Sequence, residues 1–167
     1  ADFKGFREIV DIFGGVDFYV PFNMKYDDPT QNLHINLKKG MQRLDGKKAE
    51  QLVRYRKGNR KGSGYDDGDV GRIKMQQDFV KAFIEQKAKL KYISKVDDVY
   101  GVIKEHIKTD IGLSTITAYI GRVLKIDPDR IKTFVLPGES IYRDGVWYFI
   151  INRSETKKMI DENFFFN

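Results

Sequence analysis

Apolar residues along this chain recur first at helical spacing and then at alternating spacing. Residues 3–13, FKGFREIVDIF, set Phe3, Phe6, Ile9, Val10 and Phe13 on one face with charges between them, which predicts an amphipathic helix. Gly14-Gly15 supplies the left-handed stop. VDFYVPF then alternates as a strand does and halts at Pro21, and LHINL is a second short alternating run among Asp, Asn and Pro punctuation. DGKKAEQLVRYR, residues 45–56, predicts a helix with Asp45 as its N-cap. Residues 57–68 hold four glycines and no period, so they read as a loop. A long helix follows from Asp69 to about Leu90. Its inward face is expected to be Ile73, Gln76, Gln77, Val80, Phe83 and Ile84, with Phe79 beside it. Further helices are expected over about 96–107, 113–124 and 153–165. Strands are expected at 131–136 and 146–151, with turn signals at Pro137-Gly138 and Asp144-Gly145. Helices alternating with short strands predict an α/β fold of α-β-α layers, a mixed central sheet flanked by helices.

Composition narrows the chemistry. At 167 residues the chain suits one domain, and 13% aromatic content belongs to a packed protein rather than a disordered one. With no cysteine there is no disulfide, thiolate zinc site or thiol catalysis, and two histidines, His34 and His106, exclude a three-histidine metal centre. No stretch approaches the ~18 consecutive apolar residues of a membrane helix. The net charge of +6 favours an anionic partner: nucleic acid, a phosphorylated ligand or an anionic membrane surface.

The positive charge is concentrated in one place. From Arg54 to Lys61 five of eight residues are basic; Asp66, Asp67 and Asp69 follow, and a helix then opens with Arg72 in its first turn. Asp69 is placed to cap that helix. Arg72 sits where the helix dipole disfavours a cation, which is most readily understood if an anion lies between its guanidinium and the free N–H groups of the helix end. Gln76, one turn on, reaches the same ligand, and Arg54 and Arg56 share a face only if the chain is extended there. The plainer readings stay open: a solvated charged loop, a simple cap, and Arg72 as a surface residue pairing with Asp69 or Gln76. Walker-type, dinucleotide-type and EF-hand glycine patterns do not fit residues 58–68. A nucleic-acid-binding regulatory module is the alternative class, but no recognition-helix pattern and no aromatic residues interleaved with the basic ones support it, so no nucleic-acid partner is expected.

Several segments together resemble the LytR-CpsA-Psr (LCP) family, whose members have also been labelled cell-envelope-related transcriptional attenuators. DFKGFREIVDIFGGVDFYVP, LDGKKAEQLVRYR, DVGRIKMQQDFVKAF, IKTDIGLSTI and FVLPGE carry the likeness over nearly the whole chain. The resemblance implies a magnesium-dependent phosphotransferase of the bacterial cell envelope. It would move a teichoic-acid- or capsule-type polymer from a polyprenyl-pyrophosphate carrier onto peptidoglycan, at the extracytoplasmic face of the membrane. By the same resemblance Arg54, Arg56 and Arg72 are the arginines on the pyrophosphate, Gln76 the first glutamine of the site's pair, and Asp69 the acid that positions this loop. Met75 stands where the family often has arginine, and Arg60 or Lys61 is a candidate replacement. Residues 1–167 would be the C-terminal portion of one LCP-type domain. The early strands, the Mg²⁺-ligating aspartates and the membrane anchor would then lie upstream, with no metal ligand in this chain and no activity from it alone.

Overall fold

A computed structural model describes residues 3–59, 63–66, 68–106, 112–123 and 125–164. The chain divides into two compact units, Ala1–Lys132 and Thr133–Asn167. The class is α/β as expected. Among the described residues the strands form three antiparallel two-stranded ribbons.

In the first unit the order is α1 (Lys4–Ile12), β1 (Val16–Val20), β2 (Met24–Asp28), β3 (Leu33–Leu37), β4 (Gly40–Leu44), α2 (Gly46–Arg54), α3 (Asp69–Lys87), α4 (Val96–His106) and α5 (Leu113–Val123). β1 pairs with β4 and β2 with β3. The alternation read from the sequence sets the faces: Val16, Phe18 and Val20 of β1 and Leu33, Ile35 and Leu37 of β3 are buried, while their neighbours face out. β4 carries no sequence signal, because GMQRL buries only Leu44 and shows no apolar alternation. Its place is set instead by register, with Arg43 opposite Asp17 and its guanidinium on that carboxylate at 3.1 and 3.2 Å.

Asp45 caps α2 as expected, accepting the Lys48 N–H at 2.8 Å. The next residue must be glycine for a packing reason. A Cβ on Gly46 would collide with the Arg7 carbonyl oxygen and lie 2.7 Å from Arg7 Cα, so α2 enters directly against α1. Asp11 of α1 fixes the contact by accepting the Gly46 N–H at 2.7 Å.

α3 turns a slightly different face inward from the one expected. Phe79, which the helical stripe put at its side, is its centre, fully buried between Phe6 (centroids 5.9 Å apart) and Phe18 (5.7 Å), and Val80 is exposed. Met75, Ala82 and Phe83 complete the contact. Three side-chain amides also reach strand backbone. Gln86 accepts from the Asp17 N–H at 3.0 Å and donates to its carbonyl at 2.8 Å. Asn59 does the same at Asp27, at 2.7 and 3.0 Å. Gln51 accepts from the Asn36 N–H at 2.8 Å.

The second unit is a hairpin, β5 (Gly138–Arg143) and β6 (Val146–Ile151), followed by α6 (Arg153–Asn163). The Asp144-Gly145 turn has φ of 51° and 80°, the left-handed pair a tight hairpin requires. The strand expected at 131–136 is instead irregular, and β5 begins at Gly138: its register is counted back from the turn, with Arg143 opposite Val146 and Gly138 opposite Ile151. No helix among the described residues is long and apolar enough to cross a membrane.

Candidate functional site

The site is assembled where α2 ends and α3 begins. α2 stops at Arg54 because Tyr55 leaves helical geometry for φ −65°, ψ 125°. Its ring is buried against Phe22 and Tyr65, with centroids 6.0 and 5.9 Å away. With Tyr55 inward, extended alternation turns Arg54 and Arg56 the other way. The loop then closes on itself through an antiparallel bridge between Lys57 and Gly64, and Tyr65 re-enters the core against Phe22 at 5.2 Å. α3 follows, and its Gly71 has a reason to be glycine. A Cβ there would strike Tyr65 Cβ and stand 2.7 Å from its Cγ, so the tyrosine ring lies flush on the first turn of the helix.

Arg54, Arg56, Arg72 and Gln76 line one cleft of about 490 Å³, together with Lys57, Gln31, Phe3, Tyr26, Leu33 and Val53. Arg54 is held on three sides: Glu50 at 2.9 Å, the Gln31 amide oxygen at 3.4 Å and the Phe3 ring beneath the guanidinium at 5.0 Å. Gln31 is itself held by Asp28, which accepts its side-chain amide at 2.7 Å and the Tyr26 hydroxyl at 3.3 Å. Hydrogen bonds from Thr30 first, and then from Gln31, hold the Asp28 carboxyl below its ordinary value. Arg56 and Arg72 share Asp69, at 3.5 and 2.7 Å. Glu50 is shared in turn with Arg7 at 3.1 Å. Among the described residues four cations line the cleft, against the carboxylates of Asp69, of Glu50, which is divided with Arg7 outside it, and of Asp28 behind Gln31, so positive charge is in excess.

One expected role is corrected. Asp69 is not the cap of α3. Gly68 occupies that position at φ 59°, where an L side chain is strained, and it has no side chain to offer as a cap. Asp69 is the first helical residue and its Oδ1 stands in ion-pair range of Arg72 and Arg56, although, being buried, it accepts no well-directed hydrogen bond among the described residues. Gln76 lines the cleft as expected; one amide N–H goes to the Val53 carbonyl at 2.8 Å, which also ties α3 to the last turn of α2. Arg72 keeps a feature that a surface ion pair does not explain. Its Nε is buried and has no hydrogen-bond partner among the described residues. A buried donor without an acceptor among the described residues, in the first turn of a helix and in a cleft lined by four cations, is a setting that an anionic ligand would complete.

Among the described residues the carboxylates paired with the cleft's arginines, Asp69 and Glu50, are engaged by those arginines rather than grouped as a magnesium ligand set. The cluster of metal-ligand-type side chains among the described residues, Glu8, Glu105 and His106, joins α1 to α4 outside the cleft lining, and Lys4 Nζ already stands 3.4 Å from Glu105 and 3.9 Å from Glu8. His34 pairs with Asp27 across the β2–β3 ladder. Arg60 and Lys61 lie outside the described residues; Met75 packs against the core. Phe3, Tyr26, Gln31, Lys57 and Tyr65 were missed from the sequence. A signal existed for Arg54's partner, because Glu50 stands one helical turn before it.

The sequence profile of the LytR_cpsA_psr family matches residues 1–164. The chain belongs to this family. TagV of Bacillus subtilis (strain 168), named polyisoprenyl-teichoic acid–peptidoglycan teichoic acid transferase, is 28% identical over 173 residues, taking in 98% of this chain and 42% of TagV. The crystal structure of B. subtilis TagV superposes with a TM-score of 0.71 at 23% identity, over 97% of this chain and 61% of that one. A structure of TagT bound to LIIa-WTA gives a TM-score of 0.66 at 21% identity, over 96% and 56%. At these identities the structures establish a shared LytR_cpsA_psr fold, and this chain spans less than half the length of TagV.

Proposed function

We propose that this chain forms the arginine-bearing wall of a phosphotransferase site that moves a cell-wall glycopolymer from a polyprenyl-pyrophosphate carrier to a peptidoglycan hydroxyl. The observation that carries the reading is the convergence of Arg54, Arg56 and Arg72 on one cleft, with Arg72 Nε buried and without an acceptor. The name of TagV and the ligand of TagT support the substrate class. In such a transfer the acceptor hydroxyl attacks the polymer-bearing phosphorus, the bond to the bridging oxygen breaks, and lipid phosphate leaves. Little covalent work falls to the protein, which acts mainly by positioning the reacting groups and neutralising the phosphate oxygens. Guanidinium forks suit that task, and the excess positive charge of the cleft suits the negative charges of a pyrophosphate diester. The apolar part of the lining, Phe3, Leu33 and Val53, excludes water beside the charges.

The Mg²⁺ ion, the membrane anchor and the extracytoplasmic location belong to this proposal as properties of the complete domain and protein. The deciding experiment is Arg72→Ala, with Arg72→Lys beside it, measured by carrier affinity and Tm in the complete enzyme. Loss of one charge-assisted contact corresponds to about 1.5–3 kcal/mol, roughly tenfold to over a hundredfold in affinity. Lysine should restore only part of it. Tm should hold, because the lost Asp69 pair is offset by removal of a cation from the positive end of the helix. Unchanged affinity in Arg72→Ala sinks the assignment.

A further inference from the structure

We propose that Lys57 is the residue that fits this cleft to a diphosphate rather than a monophosphate, by taking the second phosphate group; this rests on the cleft being a phosphate site. Of the four cations in the lining, three are committed: Arg54 to Glu50, and Arg56 and Arg72 to Asp69. Lys57 is the lining cation that has no carboxylate partner among the described residues. One anionic group held among the three arginines would occupy their side of the cleft. A second group joined to it finds its counter-charge at the loop, where the ammonium has no acidic competitor.

Lys57 is also placed by the backbone, which an ordinary exposed lysine is not. It forms an antiparallel bridge with Gly64, and Gly58 N–H donates to the Ser63 carbonyl at 3.3 Å, so the two limbs of the loop are paired beside it. The limbs approach closely. Gly64 has φ of 141°, and a Cβ on it would lie 3.0 Å from the Arg56 carbonyl oxygen and 3.1 Å from Lys57 Cα. A Cβ on Gly58 would lie 2.7 Å from the Lys25 carbonyl oxygen. Both glycines admit the close approach that holds the stem of Lys57 at the cleft.

The test compares inorganic pyrophosphate with inorganic phosphate on the full chain by calorimetry, in wild type, Lys57→Ala, Lys57→Arg, Gly64→Ala and Arg72→Ala. Lys57→Ala should weaken pyrophosphate by about three- to tenfold, the range of one exposed charge-assisted contact, and move phosphate less than about twofold. Lys57→Arg should retain the preference for pyrophosphate. Gly64→Ala keeps the charge but displaces its stem, and should lose part of the preference. Equal weakening of both ligands by Lys57→Ala would reduce Lys57 to a contributor of general positive field and overturn the proposal. So would no change at all in Lys57→Ala while Arg72→Ala weakens both ligands, with the phosphate site itself then standing. If Arg72→Ala also leaves both ligands unmoved, the phosphate site fails and the role of Lys57 falls with it.

Discussion

Gly71→Ala sets two known effects against each other, and the structure decides the sign. In an exposed helix, alanine in place of glycine stabilises by up to about 1 kcal/mol. Here the added methyl collides with Tyr65 Cβ and approaches its Cγ to 2.7 Å and Cδ1 to 3.0 Å. A Cβ moves only with its backbone, so no rotamer change relieves the contact; the 63–66 segment must withdraw. Withdrawal loosens two ring contacts, to Phe22 at 5.2 Å and Tyr55 at 5.9 Å, at about 0.5–1.5 kcal/mol each, and part of the burial of a large aromatic residue, about 1.5–3 kcal/mol in full. The losses outweigh the gain in propensity, and a net destabilisation of about 1–3 kcal/mol is expected by urea denaturation. Pyrophosphate affinity should fall as well, because Arg72 is the next residue. The same substitution in a Tyr65→Ala background has nothing to strike and should stabilise by up to about 1 kcal/mol. A stabilising Gly71→Ala single variant, or equal effects in the two backgrounds, would refute the packing argument.

Two further outcomes are expected. The Tyr65 hydroxyl is buried and has no hydrogen-bond partner among the described residues, and burial, with Tyr55 beside it and Arg72 opposing, pushes it up to about 12. Its folded value is above the ordinary one, so the stability it carries is whole below pH 10 and is lost as pH rises through 10 towards 12. Tyr65→Phe should therefore match or exceed wild type by up to about 1 kcal/mol at about pH 7, and the margin should widen at about pH 11, read by urea melts at both; a large loss at neutral pH would show the hydroxyl to be bonded. Gln76→Leu removes the bond to the Val53 carbonyl and should cost about 0.5–1.5 kcal/mol of stability together with some pyrophosphate affinity, whereas affinity loss with unchanged stability would mean that Gln76 serves the ligand directly.

Much of the site was legible because it follows from local rules. The Asp45 cap and the apolar spacing through Val53 mark α2, expected to run to residue 56 and ending instead at Arg54 because Tyr55 turns into the core; once the chain is extended there, the R-Y-R alternation sets which way Arg54 and Arg56 face. A cation in the first turn of α3 pointed to Arg72. What was not legible depends on competition at a distance. Asp69 has the right residue type for a cap, but two guanidiniums take its carboxylate, and one of them, Arg56, is brought there only by the closed loop. Tyr65 and Gly71 explain each other, and neither carries a signal alone. Gln31 and Tyr26 reach the cleft through the β2–β3 ribbon, whose pairing places residues from outside the basic segment beside it. The strand expected at 131–136 failed because a β-prone apolar run lost to the register dictated by the Asp144-Gly145 turn.

The side-chain amides of Gln86, Asn59 and Gln51 have a consequence for self-association. An amide that occupies the N–H and carbonyl of one strand residue imitates a neighbouring strand for the length of that residue. Asp17 and Asp27 are occupied in this way, and Asn36 at its N–H, so the outward flanks of β1, β2 and β3 are each blocked within a five-residue strand. Among the described residues β4 carries no such block. Within these two ribbons, edge-to-edge joining of another strand, whether from the same polypeptide or from a second molecule, is thereby left to the flank of β4, and the other flanks are protected against the open-ended stacking that bare edges invite.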